Sequence, residues 1–249
     1  MTENAQRSTG IHCVWGTYLI GEVIEANPPK KTVNKADSTS HDNIGGVETS
    51  SPTSIAQSDG TIKIFYYGST AQNALETDMD ARTIRTVQFI MPPTFAGGGI
   101  MYSCNAYIGG IVPSWPMKGN VTWDITVCPT SALTKCSTWA TGLTTPFFAI
   151  KDEHTTSMQT LVSPTAANAT YEYEAQSYLD NASFNITPTA TTGTIYVNGT
   201  VVATGVASTA ITPGTSAGNA VVANIMVTEA GKTPKIYLIR VTKNFTNHA

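Results

Sequence analysis

The last third of the chain alternates apolar and polar residues with the two-residue period of a β-strand. Tyr171, Tyr173 and Ala175 fall on one side, whereas Glu172 and Glu174 fall on the other, which predicts a strand with one buried face. Similar runs are predicted at residues 182–188, 194–202, 221–227 and 236–245. Short strands that recur with turn residues between them are typical of a β-sandwich, which we place at residues 161–249.

One turn in this region is specified by the sequence alone. Asn198 and Gly199 separate the β-rich runs 194–197 and 200–202. A two-residue type I′ turn needs a positive φ at both central positions, and Asn-Gly meets that need best. The pair therefore predicts a tight β-hairpin.

The first half of the chain has longer strands and one helix. Strands are predicted at residues 13–24, 61–67, 83–91, 100–112 and 121–127. We expect them to form one twisted sheet or barrel. Ser69 precedes a run of helix-compatible residues, so a helix is predicted over residues 69–76 with Ser69 as its N-cap. The predicted class is therefore all-β with one short helix: a β-sheet or barrel domain at residues 1–135, followed by the sandwich.

Two segments lack this regular pattern. Residues 27–60 carry prolines, charges and Ser/Thr but few apolar residues, so we expect a long arm, without a core of its own, that projects from a hairpin and is mobile in the free chain. Residues 136–160 are predicted to be a connector. Trp139, Phe147 and Phe148 make it too apolar for a free tether, so it is expected to pack against one domain.

Composition changes the functional picture by exclusion. The 249 residues include 14 basic and 17 acidic side chains and have a net charge of −3, which argues against a cationic nucleic-acid binder. Charged residues make up 12%, and 40 residues are threonine, which favours strands. No apolar run approaches the roughly 20 residues of a membrane span, so no membrane insertion is expected.

The candidates for chemistry are few. Of the four histidines, His12 has Cys13 beside it, but neighbouring residues on a strand point to opposite faces. Asp78 and Asp80 could place two carboxylates on one face of a strand, as glycosidases require, yet a solvated or lumen-facing acidic edge after the helix is the favoured interpretation. We therefore predict no catalytic residue, no metal site and no cofactor, and we expect the four cysteines to be reduced thiols.

The C-terminal third resembles the bacterial immunoglobulin-like modules of the cadherin-like β-sandwich type. The resemblance covers about 85 residues and rests on the following segments: Tyr171 and Tyr173, Phe184-Asn-Ile186-Thr-Pro188, the Asn198-Gly199 hairpin, Gly218-Asn219, Gly231-Lys232 and Tyr237-Leu-Ile239-Arg-Val241. The chain departs from the pattern at Ala230, where an acidic residue is usual before the turn glycine.

The first 135 residues resemble the major tail tube protein of long, flexible-tailed bacteriophages. The order of elements carries the resemblance: a strand, the polar arm 27–60, a strand, the helix that starts at Ser69, a strand that ends in Met91-Pro92-Pro93, a small-residue strand and a closing strand. A C-terminal immunoglobulin-like module is frequent in such proteins.

The resemblance implies a structural virion protein without enzymatic activity. Its subunits would form a hexameric ring, stack into the tail tube and let DNA pass during genome ejection. They would assemble in the bacterial cytoplasm with other phage tail proteins. Because the predicted inward faces of the sandwich supply a complete core and its charge is balanced, we expect it to decorate the outside, touch host-surface glycans and be dispensable for polymerisation. The arm residues expected at the ring stack are Lys30, Lys31, Lys35, Asp37 and Asp42. The residues expected to face the lumen are Glu76, Asp78, Asp80 and Asp124.

An alternative remains open at this point. A bacterial or phage surface protein with a carbohydrate-binding sandwich would show exposed aromatic rings. Most ring residues of the sandwich fall on predicted core faces, which leaves Tyr178, Tyr196 and Phe245 as candidate platforms.

Overall fold

The computed structural model describes residues 11–21, 23–37, 50–91, 99–152, 165–167 and 171–245. The N-terminal strands are β1 (His12–Trp15), β2 (Tyr18–Ile20), β3 (Val23–Asn27), β4 (Lys31–Asp37), β5 (Ser50–Gln57), β6 (Gly60–Phe65), β7 (Arg85–Ile90), β8 (Met101–Ser114), β9 (Thr122–Pro129) and β10 (Thr134–Cys136). The C-terminal strands are β11 (Phe148–Asp152), β12 (Glu172–Ser177), β13 (Phe184–Pro188), β14 (Thr194–Val197), β15 (Thr200–Val202), β16 (Ala220–Thr228) and β17 (Lys235–Lys243). The helix of the described ranges is α1 (Thr70–Asp80). The predicted class, all-β with one short helix, is confirmed, and within these ranges the sheets do not close into a barrel.

The N-terminal half is built on one eight-stranded antiparallel sheet. Its strand order is β2-β1-β7-β8-β9-β6-β3, with β10 beside β8. The sheet coils until β1 contacts β3, although four strands lie between them. The inner face is therefore enclosed, and it buries an apolar cluster that includes Trp15, Ile64, Leu75 and Ile125. The strand predicted at residues 13–24 is in fact three, because a turn at residues 16–17 folds β2 back on β1, whereas β3 pairs with β6 at the other edge of the sheet.

Helix α1 covers the inner face and begins where the sequence predicts. The Ser69 side chain accepts a hydrogen bond from the Gln72 backbone, and the Gln72 side chain accepts one from the Ser69 backbone, which makes a capping box. Gln72 is fully buried and also donates to the Phe65 carbonyl at 2.7 Å. The helix runs to Asp80, beyond the predicted end, so Asp78 and Asp80 lie on the helix and not after it.

The arm is more regular than the sequence analysis expected. Strands β4 and β5 form a separate two-stranded antiparallel ribbon whose register runs from Lys31 opposite Gln57 to Asp37 opposite Ser50. A ribbon satisfies its backbone hydrogen bonds between its own strands, so it needs no apolar core to become ordered locally. The sequence predicts no strands in the arm, but residues 31–37 and 50–57 form two. The mobility of the arm in the free chain stays a prediction.

The C-terminal half is a β-sandwich. A five-stranded sheet, in the order β12-β17-β16-β14-β15, faces the pair β11-β13. Tyr173, Phe184, Ile225, Tyr237 and other apolar residues fill the space between these sheets. The predicted hairpin is confirmed, because Asn198 has φ 48° and Gly199 has φ 82° at the turn between β14 and β15.

The predicted connector at residues 136–160 contains part of this sandwich. Strand β11 pairs antiparallel with β13, with Phe148 opposite Pro188 and Asp152 opposite Phe184. Upstream of β11, the connector is also attached to the sandwich, because the Leu143 N–H donates a hydrogen bond to the Tyr237 hydroxyl at 3.0 Å. Residues 143–152 are therefore hydrogen-bonded to the sandwich and supply one of its strands.

The two halves also share an apolar cluster. It contains five buried residues, of which Val14, Ile90 and Met101 come from the N-terminal sheet, and Met226 and Ile236 from the sandwich. All of them are on outer faces, because their neighbours along each strand point into the two separate cores. We call this contact the joint. It consists of one sheet packed on another.

Candidate assembly surfaces

The outer side of β3, β6, β9 and the middle of β8 carries a set of polar residues, here called the polar face. Its residues are Glu25, Asn27, Thr61, Lys63, Asn105, Asp124 and Thr126. The exposed side chains of Tyr107 and Val112 on β8 lie beside it. On β9, Trp123, Ile125 and Val127 are buried on the inner side, so Asp124 and Thr126 point outward. Strand alternation thus separates an apolar core from a threonine-rich exterior.

Hydrogen bonds and one ion pair organise the polar face. The Asn27 amide donates to Glu25 Oε1 at 2.9 Å and to Thr61 Oγ1 at 3.2 Å. Lys63 Nζ lies 3.3 Å from Asp124 Oδ1 on the adjacent strand. The face therefore carries two carboxylates and one ammonium group, and the ammonium group is already paired.

The four carboxylates predicted to face a lumen do not share a surface. Asp124 is on the polar face, whereas Glu76 and Asp80 are exposed on α1, which covers the opposite face of the sheet. Asp78 is buried, with only 4% of its surface exposed, so its predicted lumen position is wrong. The placement of Glu76, Asp80 and Asp124 around a lumen stays a prediction.

Asp78 instead joins the helix to the sheet. Its carboxylate accepts hydrogen bonds from Arg85 Nε at 2.5 Å, from a terminal Arg85 nitrogen at 2.9 Å and from Trp15 Nε1 at 2.8 Å. Burial raises the pKa of Asp78, but the hydrogen bonds from Arg85 and Trp15 and the charge of Arg85 outweigh burial, so its pKa is lower than usual. This buried acid has a structural role.

The residues predicted for ring stacking lie along the arm. Lys30 and Lys31 are exposed at its base, Lys35 and Asp37 lie on β4, and Asp42 falls outside the described residues. Two hydrogen bonds close the base: the Ser58 N–H donates to the Lys30 carbonyl at 3.0 Å, and the Lys30 N–H donates to Ser58 Oγ at 3.1 Å. The ribbon is thus held at a defined point of departure from the sheet. Its contact with another ring stays a prediction.

An apolar pair on the ribbon was missed by the sequence analysis. Val33 and Ile55 lie directly opposite each other and are 49% and 71% exposed. The opposite side of the ribbon carries the pair Thr32 and Ala56. In the sequence, Val33 and Ile55 are each a β-branched apolar residue in a mostly polar segment, which was the available signal. Only the cross-strand register shows that the two side chains lie together.

A second apolar feature is the turn between β8 and β9. Strand β8 runs to Ser114, beyond its predicted end, and Val112, Trp115 and Met117 are all more than 60% exposed. The sequence analysis assigned no role to these residues.

The aromatic platform required by the alternative function is reduced by the fold. Tyr196 packs against the joint and is half-buried. Tyr178 is also half-buried, whereas Phe245 is 80% exposed. Of the three candidate platforms, therefore, one ring is fully available to a flat ligand.

The described residues offer little catalytic chemistry. No group of three or more His, Cys, Asp or Glu side chains among them is arranged to hold a metal ion. All four cysteines are free thiols, and burial raises the pKa of Cys13 far above its usual value. Burial lowers the pKa of His12 to about 4. Within the same ranges, no helix is long and apolar enough to cross a membrane.

Comparison with known proteins gave structural matches alone. No family model matches the chain, and no curated protein sequence matches it. Over 53% of its length the chain is similar to 98% of a chain from the virion of a native gene transfer agent, at 13% identity and a TM-score of 0.42. It matches 77% of a chain of the SPP1 tail tube with 51% of its own length, at 13% identity and a TM-score of 0.40. It also matches 93% of a chain from the sheath-tube complex of an extracellular contractile injection system with 54% of its length, at 10% identity and a TM-score of 0.41.

Proposed function

We propose that this chain is a structural subunit of a phage tail tube. Copies would form a hexameric ring, the rings would stack, and the resulting hollow tube would belong to the virion tail and bind other tail proteins at its ends. The observation that carries the proposal is the arm. Strands β4 and β5 pair only with each other among the described strands and expose the Val33–Ile55 pair.

Such a ribbon is unfavourable in a free monomer, because it is a lone hairpin with an exposed apolar pair. An isolated two-stranded hairpin is marginally stable in water, and an exposed cross-strand apolar pair gains free energy when a neighbour covers it. A second copy of this chain is the partner that a ring stack supplies. The exposed Lys30 and Lys31 at the base of the arm would add polar contacts at its rim.

The polar face fits the wall of a DNA channel. Phosphate contacts from Lys and Arg supply most non-specific DNA affinity, and on this face the single ammonium group, Lys63, is held by Asp124. Glu25 and Asp124 would instead repel phosphate groups. A wall of this composition would let DNA pass without binding it.

The sandwich would then lie outside the tube. The joint is on the outer side of β1 and β7, and the polar face is on the outer side of β6 and β9. Because the sheet coils until β1 meets β3, these two outer sides point in opposite directions. If the polar face lines the lumen, the sandwich lies on the exterior as an immunoglobulin-like decoration, where it could reach host-surface glycans.

Electron microscopy of purified protein tests the proposal. We expect concentrated wild-type protein to form rings or tubes in negative stain. A double variant, Val33→Ser with Ile55→Ser, should stay folded but lose them. Val33 and Ile55 are 49% and 71% exposed, so a neighbour can bury only that part of the five deleted carbons. At about 0.8 kcal/mol per CH₂ this is worth about 2.5 kcal/mol per subunit, which corresponds to about a 70-fold higher critical concentration.

The matched control uses the other side of the ribbon. Thr32→Ser with Ala56→Ser changes one cross-strand pair on the same two strands and should leave assembly intact. Strictly monomeric wild-type protein at all concentrations and salts would remove the proposal. Equal assembly of both double variants would remove the arm as its basis.

A further inference from the structure

We infer that the C-terminal sandwich is a fixed structural layer of the N-terminal sheet, and that the sheet needs it to cover an apolar strip on its outer side. This inference rests on contacts within one chain and does not depend on the proposed tube function. The prediction that the sandwich is dispensable for polymerisation assumed that the N-terminal sheet folds without it, and this inference denies that assumption.

The middle of the joint is an apolar contact between two sheets. Val14, Ile90 and Met101 on the N-terminal sheet are each at most 6% exposed, although they point away from that sheet's own core. Met226 and Ile236, which cover them, are 2% and 5% exposed. Without the sandwich, these three residues of β1, β7 and β8 would face water as one contiguous patch.

At one end of the joint, the Trp139 indole packs on the main chain of Gly99. A Cβ added at Gly99 would overlap the indole of Trp139, so the ring lies directly on the Gly99 main chain. Thr233 Oγ1 of the sandwich donates to the Gly99 carbonyl at 2.9 Å, and Thr233 is fully buried. The Thr233 backbone also pairs with the segment that carries Trp139. Three distant parts of the chain are thus locked together.

The other end of the joint uses the predicted hairpin turn. A Cβ at Gly199 would overlap the Tyr18 ring, which belongs to β2. Gly199 therefore serves two purposes: it adopts a positive φ in the turn, and it lets Tyr18 approach the main chain. The joint therefore has contacts at both ends and an apolar cluster in the middle, which fix the orientation of the sandwich on the N-terminal sheet.

Hydrogen exchange on the intact chain tests this inference. Met226→Asp places a carboxylate in the joint, whereas Val222→Asp places the same group on the same face of β16 at a position that is 39% exposed. We expect Met226→Asp to lower the unfolding midpoint by about 5 °C or more. It should also raise exchange at least tenfold in β1 and β7, across the joint. Val222→Asp should do neither.

A milder variant covers the case in which Met226→Asp fails to fold. Thr233→Val is nearly isosteric and removes the hydrogen bond to Gly99; it should raise exchange at the start of β8, in the other half of the chain. The inference is overturned if Thr233→Val changes exchange only within the sandwich. It is also overturned if Met226→Asp folds and leaves β1 and β7 as protected as in the wild type.

Discussion

The buried carboxylate of Asp78 offers the most direct quantitative test of the fold. Asp78→Ala removes the acceptor for Arg85 and Trp15 at once. The Trp15 side chain is fully buried, so its indole N–H would lose its partner away from water, which costs about 1–3 kcal/mol. The Arg85 side chain is 40% exposed and can turn toward solvent.

These terms set the expected magnitude. Breaking a fully buried ion pair costs about 3–5 kcal/mol, and the exposure of Arg85 reduces its share. We therefore expect Asp78→Ala to lower the free energy of unfolding by about 2–4 kcal/mol. For a chain of this size the midpoint should fall by about 2–4 °C per kcal/mol.

Urea and thermal unfolding followed by circular dichroism would measure the effect, with Asp80→Ala as the control. Asp80 lies on the same helix and is exposed, so its replacement should stay within about 0.5 kcal/mol. The pH dependence has a defined sign. Because the folded-state pKa of Asp78 is lowered, its contribution is complete above its ordinary pKa and is lost as the pH falls through the lower, folded-state value. Equal stability of the two variants would refute the assigned role of Asp78.

Two further predictions concern the outer side of β1 and the hairpin turn. Burial holds the pKa of His12 at about 4 instead of 6.5, so the unfolded chain binds more protons than the folded chain between these pH values. The free energy of unfolding should therefore fall by up to about 3 kcal/mol as the pH drops from 6.5 to 4. His12→Gln should abolish that slope in pH-dependent urea melts, and an unchanged slope would contradict the prediction. Gly199→Ala should destabilise the chain more than Gly205→Ala in the same melts, because both glycines have a positive φ but only Gly199 lies against Tyr18; equal losses would mean that the Tyr18 contact contributes nothing.

Local signals explain which parts of the fold could be predicted. The Asn198-Gly199 turn and the Ser69 cap each depend on a few neighbouring residues, and both lie where the sequence places them. The end of α1 depends on a distant partner instead. Asp78 reads as a solvated acid in sequence, and its contacts with Trp15 and Arg85 appear only when the sheet brings those residues to the helix.

The joint was missed for a different reason. Alternation assigns Ile225, Val227, Tyr237 and Ile239 to the core of the sandwich and leaves their neighbours without a role. The neighbours Met226, Ile236 and Leu238 are apolar as well, and they pack in the joint. Continuous apolar runs indicate strands that are covered on both faces. That signal was present, but it cannot identify the covering element.

The same distinction limits what net charge can indicate about a lumen. A net charge of −3 does not by itself indicate an acidic wall, because Asp78 is neutralised inside the protein by Arg85 and Asp124 is paired with Lys63 on the polar face. The charge that DNA would encounter depends on the unpaired groups of the polar face. Among the described ion pairs, no lysine or arginine neutralises the Glu25 carboxylate on that face. A channel wall of this kind would avoid DNA chiefly by lacking free ammonium and guanidinium groups, and only weakly by repulsion.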